Sequence, residues 1–114
     1  METKVTFRHM DHSDVVEDYA GRQLHKVYEF LSNERDPVYV NITFEPSKVH
    51  AHHKVELQVK SPHYDLIAHR EGPEFYDIID QVVDIMYRQL HEHKRKELDE
   101  RKMRGRHEDF KKQR

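Results

Sequence analysis

The sequence predicts an α+β fold, a two-layer sandwich in which two helices cover one face of a four-stranded sheet. Four short segments alternate apolar and polar residues with the period of two that half-buried strands show. Two longer segments repeat apolar residues at the three- and four-residue spacing of an amphipathic helix. Their order along the chain is β-α-β-β-β-α. Because each strand has one apolar face, we expect both helices to lie on that face and bury it.

The strands and the first helix follow from local patterns. The strands are predicted over residues 4–9, 38–45, 53–60 and 64–70. The first helix is predicted over residues 13–31, with Ser13 as its N-cap, because the serine oxygen can accept a hydrogen bond from the first turn. Gly21 lies inside this helix, where glycine costs roughly 1 kcal/mol relative to alanine. Either close packing requires Gly21 or the helix tolerates it.

The second helix is predicted to begin after Gly72 and Pro73, which end the fourth strand. Its apolar face is formed by Phe75, Ile79, Val82, Met86, Leu90 and His93. Beyond Lys96 the apolar period fades, and Gly105 is expected to end the helix.

The chain is predicted to contain one domain, residues 1–100, followed by a basic and flexible C-terminal tail, residues 101–114. The domain carries 13 Lys and Arg against 20 Asp and Glu, whereas the tail carries 7 against 2. A charged segment with so few apolar residues cannot bury enough surface to become ordered. The apolar positions of the domain predict one shared core that contains Val38, Val40, Ile42, Phe44, Leu57, Leu66, Ile79, Val82, Met86 and Leu90.

Composition excludes several classes of protein. The chain has no apolar stretch of about 18 residues that would span a bilayer. It has no cysteine, which fits a reducing compartment. We therefore expect a cytoplasmic protein without a membrane partner. A cysteine nucleophile and a glycine-rich phosphate loop are both missing from the sequence, so we expect no enzyme, no cofactor and no small-molecule substrate.

A row of carboxylates is the best catalytic candidate. Asp77, Asp80 and Asp84 have the spacing of residues that share one helix face. A solvated surface near the start of a helix explains this row more simply, because negative charge is favourable there.

Two groups of histidines raise the alternative of a metal protein. His50 and His52 alternate on a strand and would point the same way, and His91 and His93 lie two residues apart on the second helix. Neither pair has a third ligand at a matching spacing. We predict no metal site.

The remaining candidate site consists of basic residues on the two helices: Arg22 and Lys26 on the first, and Arg88, Lys94 and Arg95 on the second. If the helices lie side by side, these cations form one patch that would bind phosphates. Glu92 and Glu97 lie among them. An ordinary salt-bridged surface is therefore the alternative.

The segment from Ala68 to Lys96 carries a series of short motifs in one order: Ala68, Glu71-Gly72, Glu74-Phe75-Tyr76, Ile79-Asp80, Arg88-Gln89-Leu90 and His93-Lys94-Arg95-Lys96. In this order the motifs resemble the signature of the ribosome hibernation-promoting factor family, also called ribosome-associated inhibitor or sigma-54 modulation proteins. A weaker resemblance extends back to about residue 4. The chain resembles the short form of the family.

The order β-α-β-β-β-α, without its first strand, is that of a double-stranded-RNA-binding domain. The family resemblance implies a function without catalysis. It implies that the protein binds the small ribosomal subunit and its rRNA at the mRNA channel and the A and P tRNA sites, and inhibits translation in stationary phase or stress. The free protein is expected to be a monomer. With the helix cations above, the resemblance predicts an RNA-binding set of Arg8, Arg22, Lys26, Arg88, Lys94, Arg95 and Lys96.

Some residues depart from the family's pattern. Ile85 and Glu92 occupy positions where the family often has lysine, and the domain is acidic overall. These departures favour a second hypothesis, a diverged relative that acts as a protein-binding, stress-regulatory module.

Overall fold

The computed structural model describes the backbone of residues 1–48 and 51–112, and side chains as far as residue 102. Within these residues the chain forms four strands and three helices. The strands are β1 (Glu2–Phe7), β2 (Tyr39–Pro46), β3 (His53–Lys60) and β4 (Asp65–Gly72). The helices are α1 (Asp14–Gln23), α2 (His25–Leu31) and α3 (Phe75–Lys112).

The strands form one sheet in the order β1-β2-β3-β4. β1 and β2 are parallel, and the other neighbours are antiparallel. Parallel neighbours need a crossover, which α1 and α2 supply. One apolar row crosses the whole sheet, with Val5 opposite Ile42, Ile42 opposite Leu57, and Leu57 opposite Ala68. This register places the apolar residues of all four strands on the same face.

The helices pack on that apolar face, which confirms the predicted two-layer α+β sandwich. α3 lies against β3 and β4, and α1 and α2 lie against α3. The buried residues include nine of the predicted core: Val38, Val40, Ile42, Phe44, Leu57, Ile79, Val82, Met86 and Leu90. Leu66 is half-buried and packs against this core. His93 is exposed, so the apolar face of α3 ends earlier than we predicted.

The first helical segment is two helices rather than the single helix that we predicted. Ser13 is the N-cap as expected, and its hydroxyl oxygen accepts a hydrogen bond of 3.3 Å from the Val16 N–H. The chain bends at Leu24, whose carbonyl accepts hydrogen bonds from the Val27 and Tyr28 N–H groups. Leu24 is itself buried. The spacing of apolar residues therefore continues unchanged through the bend, so this spacing could not reveal that the helix is interrupted there.

Gly72 allows the first turn of α3 to approach the end of β4. The residue is buried, and a methyl group on its Cα would lie 3.3 Å from Ile78 Cγ1. Because Ile78 belongs to the core, this close approach fixes where α3 begins on the sheet.

α3 continues to Lys112, so the prediction that Gly105 ends it is wrong. A single glycine inside a helix costs only about 1 kcal/mol. The 38 residues of α3 are roughly 57 Å long at 1.5 Å per residue, which accounts for most of the molecule's longest dimension of 66 Å. Flexibility of residues 101–114 stays a prediction, and the side chains from residue 103 onward lie outside the described residues. No helix in the described part of the chain is both long and apolar enough to cross a bilayer.

Candidate nucleic-acid interface

The pair α1–α2 runs beside α3 in the same direction, and the line where they meet is called the helix seam below. Near its start, the Tyr19 hydroxyl donates a hydrogen bond of 2.7 Å to Asp80 Oδ1. Further along, Lys26 Nζ lies 2.5 Å from Asp84 Oδ1. From the first contact to the second, the contacting residues move towards the C-terminus on both helices. The predicted side-by-side arrangement of the helices is therefore present.

Two aspartates of the row, Asp80 and Asp84, contact the neighbouring helix, whereas Asp77 and Asp84 are also exposed to solvent as we expected for the row. Asp80 accepts the hydrogen bond from Tyr19, and Asp84 pairs with Lys26. The hydrogen bond to Asp80 raises the pKa of the Tyr19 hydroxyl above its ordinary value of 10.0, and burial and the charges of Asp80 and Asp77 raise this pKa further. Helical spacing showed that the aspartates share a face but not that another helix lies beside it.

Lys26 and Arg88 lie on either side of Asp84. Lys26 pairs with the Asp84 carboxylate, and its ammonium lies 5.1 Å from the centroid of the Tyr87 ring. The Arg88 Nε–H donates to the Asp84 backbone carbonyl at 3.4 Å. Among the described side chains, the Arg88 guanidinium has no carboxylate partner. The two cations are thus close together, but Asp84 neutralises Lys26.

Arg22 is exposed in the last turn of α1 and has acidic neighbours. It borders a shallow depression together with Glu17, Asp18 and His25. Within the described residues, Arg22 forms no ion pair. Arg22 is available to a phosphate, but the two carboxylates of Glu17 and Asp18 border the same depression.

A basic turn with an aromatic flank forms the far end of the helix seam. Lys94, Arg95 and Lys96 are exposed on consecutive positions of α3. Lys94 Nζ lies 5.5 Å from the centroid of the Phe30 ring, and the same ring packs edge-on against His91 at 4.7 Å. Sequence reasoning missed Phe30 as part of this surface, because Phe30 is on α2 and only the packing of α2 on α3 brings it there.

Arg8 lies apart from this turn. It follows β1, and its backbone N–H donates to the Phe44 carbonyl at 2.8 Å. The Phe44 ring packs against Phe75, the first residue of α3, at 5.7 Å. At 1.5 Å per residue, Phe75 and Lys94 are roughly 28 Å apart along the helix. The structure therefore places Arg8 at one end of the helical layer and the basic turn at the other.

The histidines that suggested a metal site have other surroundings. His50 lies outside the described residues, and the rings of His91 and His93 pack against aromatic rings. Within the described chain, one other group brings three ligand atoms close together: His12, Asp14 and Glu17. These side chains pair with each other at the start of α1, where the helix dipole disfavours a cation.

Comparison with known proteins places the chain in a family. The family model described as sigma 54 modulation protein / S30EA ribosomal protein matches residues 3–97. The fold is similar to that of the N-terminal domain of Protein Y from Thermus thermophilus, with a TM-score of 0.63 and 20% identity over 76% of this chain and 91% of that one. It is also similar to a ribosomal subunit interface protein from Coxiella burnetii, with a TM-score of 0.66 and 21% identity over 82% of this chain and 98% of that one. No curated protein matches the sequence.

At these identities the two structures support the fold alone, whereas the family model covers most of the chain and includes the whole segment from Ala68 to Lys96 that carries the resemblance. The chain therefore belongs to the sigma 54 modulation protein / S30EA ribosomal protein family.

Proposed function

We propose that the protein is a ribosome hibernation factor of the cytoplasm. It binds the small ribosomal subunit through rRNA at the mRNA channel and the A and P tRNA sites, and it inhibits translation in stationary phase or stress. It binds as a monomer and needs neither a cofactor nor a catalytic step. The observation that carries this proposal is the family match over residues 3–97.

The exposed surface of the helical layer supports RNA as the ligand. Lys94, Arg95 and Lys96 place three positive charges within one turn of α3, on side chains that point in successive directions around the helix, and this local charge attracts an RNA backbone. The half-buried ring of Phe30 lies beside them. Aromatic rings next to cations bind single-stranded RNA by stacking on its bases. Cations and an aromatic surface therefore occur together at this end of the molecule.

The other predicted contacts contribute unequally. Arg22 and Arg88 are exposed and free of carboxylate partners among the described side chains, so they can bind phosphates directly. Lys26 must first give up Asp84. Arg8 is a separate contact at the opposite end of the helical layer. We propose two contact regions, with the basic turn providing most of the affinity.

Sedimentation with ribosomes tests the function, and a double variant tests the surface. The wild-type protein should sediment with small subunits and inhibit translation in a purified system. Arg88→Ala with Lys94→Ala should weaken subunit binding and lower the slope of log affinity against log salt by about 1.4–1.8, the value of two phosphate contacts. Arg35→Ala with Lys60→Ala removes the same charge from a loop and from the open face of the sheet, and should change binding little.

Absence of the wild-type protein from ribosomal fractions at both low and high salt would refute the proposal. If both double variants behave like the wild type, ribosome binding stands and the helix surface is not the contact.

The acidic surface supports a second candidate function. Asp77, Asp80 and Asp84 line the same helical layer, and residues 1–100 have a net charge of −7. Such a surface repels RNA and would suit a basic protein partner, as expected for a protein-binding stress-regulatory module. A protein that never sediments with ribosomes would favour this function.

A further inference from the structure

A groove between β4 and α3 brings two arginines together. On β4, Arg70 lies two residues after the buried Ala68. Side chains two residues apart on a strand point to the same face, so the Arg70 side chain lies on the helical side of the sheet. Two adjoining cavities of about 190 and 270 Å³ lie there, and both are lined by Arg70, Ile85 and Arg88. The groove lies on the β4 side of α3, whereas the helix seam lies on its α1–α2 side. The groove shares Arg88 and Asp84 with the surface described above and extends that surface to the β4 side of α3.

Both arginines of the groove keep their charge available. Within the described residues, Arg70 forms no ion pair, and Arg88 donates only to a carbonyl of its own helix. Two carboxylates also border the cavities. Asp84 is already paired with Lys26, and Glu92 forms no ion pair with either arginine. The groove thus holds two guanidinium groups, which are opposed locally by Glu92 and by Asp84, and Lys26 offsets the charge of Asp84.

The floor and one wall of the groove add further selectivity. Ile85 is half-buried between the arginines and provides an apolar floor, against which the charges are less hydrated. Gln89 lines the larger cavity, and its Oε1 is buried without a hydrogen-bond donor. Gln89 thereby adds a polar wall to the groove.

We propose that Arg70 and Arg88 bind one phosphodiester of an RNA backbone in this groove. Each guanidinium is a planar fork that matches two phosphate oxygens, and the two forks approach from opposite sides, one from the sheet and one from the helix. Strand β4 thereby contributes to an RNA surface that is otherwise helical. The assignment of this phosphate to ribosomal RNA rests on the proposed function, whereas the groove itself does not.

Binding of a short, labelled, single-stranded oligouridylate to the full-length protein, measured by fluorescence anisotropy over a series of salt concentrations, tests the groove. Arg70→Gln should weaken binding about fivefold near physiological salt and lower the salt slope by about 0.7, since one single-strand phosphate contact is lost. Glu92→Gln should strengthen binding by a similar factor, because it removes the only unpaired carboxylate of the groove.

Lys60→Gln is the matched control, because it removes one positive charge from the open face of the sheet. If Arg70→Gln and Lys60→Gln have the same affinity and salt slope, the groove does not bind RNA. Arg70 is exposed, so its substitution should leave the melting temperature unchanged and the comparison valid.

Inorganic phosphate and uridine monophosphate distinguish the possible sources of the phosphate. If either binds in an Arg70-dependent manner as tightly as the oligouridylate, the groove is a site for a small phosphate compound, and its assignment to RNA is wrong. The groove and the proposed function can also fail separately. If oligouridylate binding depends on Arg70 but the protein does not sediment with small subunits, only the proposed function is refuted. If the protein sediments with small subunits but Arg70→Gln has no effect in either assay, only the groove is refuted.

Discussion

We predict that Asp84 has opposite effects on stability and on the proposed RNA binding. Its carboxylate pairs with Lys26, while its position beside Arg88 places a negative charge where a phosphate would bind. Asp84→Asn should therefore raise affinity for small subunits about fivefold and steepen the salt slope by roughly 0.7–0.9, as one further phosphate contact would. The side chains of Lys26 and Asp84 are 41% and 59% exposed, so loss of their ion pair should cost less than about 1 kcal/mol of unfolding free energy.

Asp65→Asn provides a control for this charge change, because Asp65 is exposed and lies opposite Lys60 in the sheet. Weaker subunit binding by Asp84→Asn, measured beside this control, would show that Asp84 contacts the ribosome directly.

Tyr19 makes the helix seam sensitive to alkaline pH. Its hydrogen bond to Asp80 raises the pKa of the hydroxyl above 10.0, so the folded state favours the neutral phenol more than the unfolded state does. This contribution to stability is complete below pH 10 and is lost as the pH rises through the raised pKa. Tyr19→Phe should cost about 1 kcal/mol near neutral pH. It should also flatten the decline in unfolding free energy as the pH rises from about 10 through the raised pKa.

Urea unfolding at several pH values measures this decline. Tyr39→Phe removes an exposed hydroxyl from the open face of the sheet, and should keep the wild-type slope. Equal slopes for Tyr19→Phe and the wild type would contradict the assigned role of the hydrogen bond.

At the scale of the elements, the joint between α1 and α2 does not depend on Gly21. No heavy atom lies within 4 Å of the position that a methyl group would occupy there, so close packing does not require glycine. Gly21→Ala should raise the unfolding free energy by about 0.5–1 kcal/mol, because alanine favours the helix and restricts the unfolded chain. Thermal unfolding should show an increase in melting temperature of a few degrees, on the order of 4 °C. A lower melting temperature would show that the bend at Leu24 needs a flexible residue in the preceding turn.

Over the whole molecule, the excess of positive charge lies in a different part of the chain from the hydrophobic core. Among the described side chains of α3, the last buried one is Leu90. The family match ends at residue 97, whereas residues 101–114 carry a net charge of +5. Deletion of residues 101–114 should therefore leave the melting temperature nearly unchanged. It should weaken binding to small subunits, because it removes charge that favours association with RNA.

A full-length variant with glutamine at the seven basic positions from Arg101 to Arg114 separates charge from length, and should lose binding to the same extent. If deletion lowers the melting temperature strongly, this segment packs against the domain and is not a tail.

The sequence by itself determined the layers, the core and the family. Each strand and helix reveals its buried face through its own period, and the register of the sheet then aligns Val5, Ile42, Leu57 and Ala68 as one row. The apolar period of each strand and helix depends on residues that are near one another in the chain. The same locality explains the errors at Leu24 and Gly105, because periodicity reports burial and not where backbone hydrogen bonding changes.

Only the tertiary structure decided which charges meet. Lys26 and Asp84 are 58 positions apart, and the offset between α2 and α3 makes them an ion pair. The alternation of side chains along β4 places Arg70 on the face of the sheet that the helices cover, but only the packing of α3 beside β4 brings Arg70 near Arg88. Arg8 belongs to the predicted set of contacts, yet it lies at the other end of the helical layer. Charges interact over a few ångströms in space, so the order of residues along the chain cannot show which of them are neutralised and which remain available to RNA.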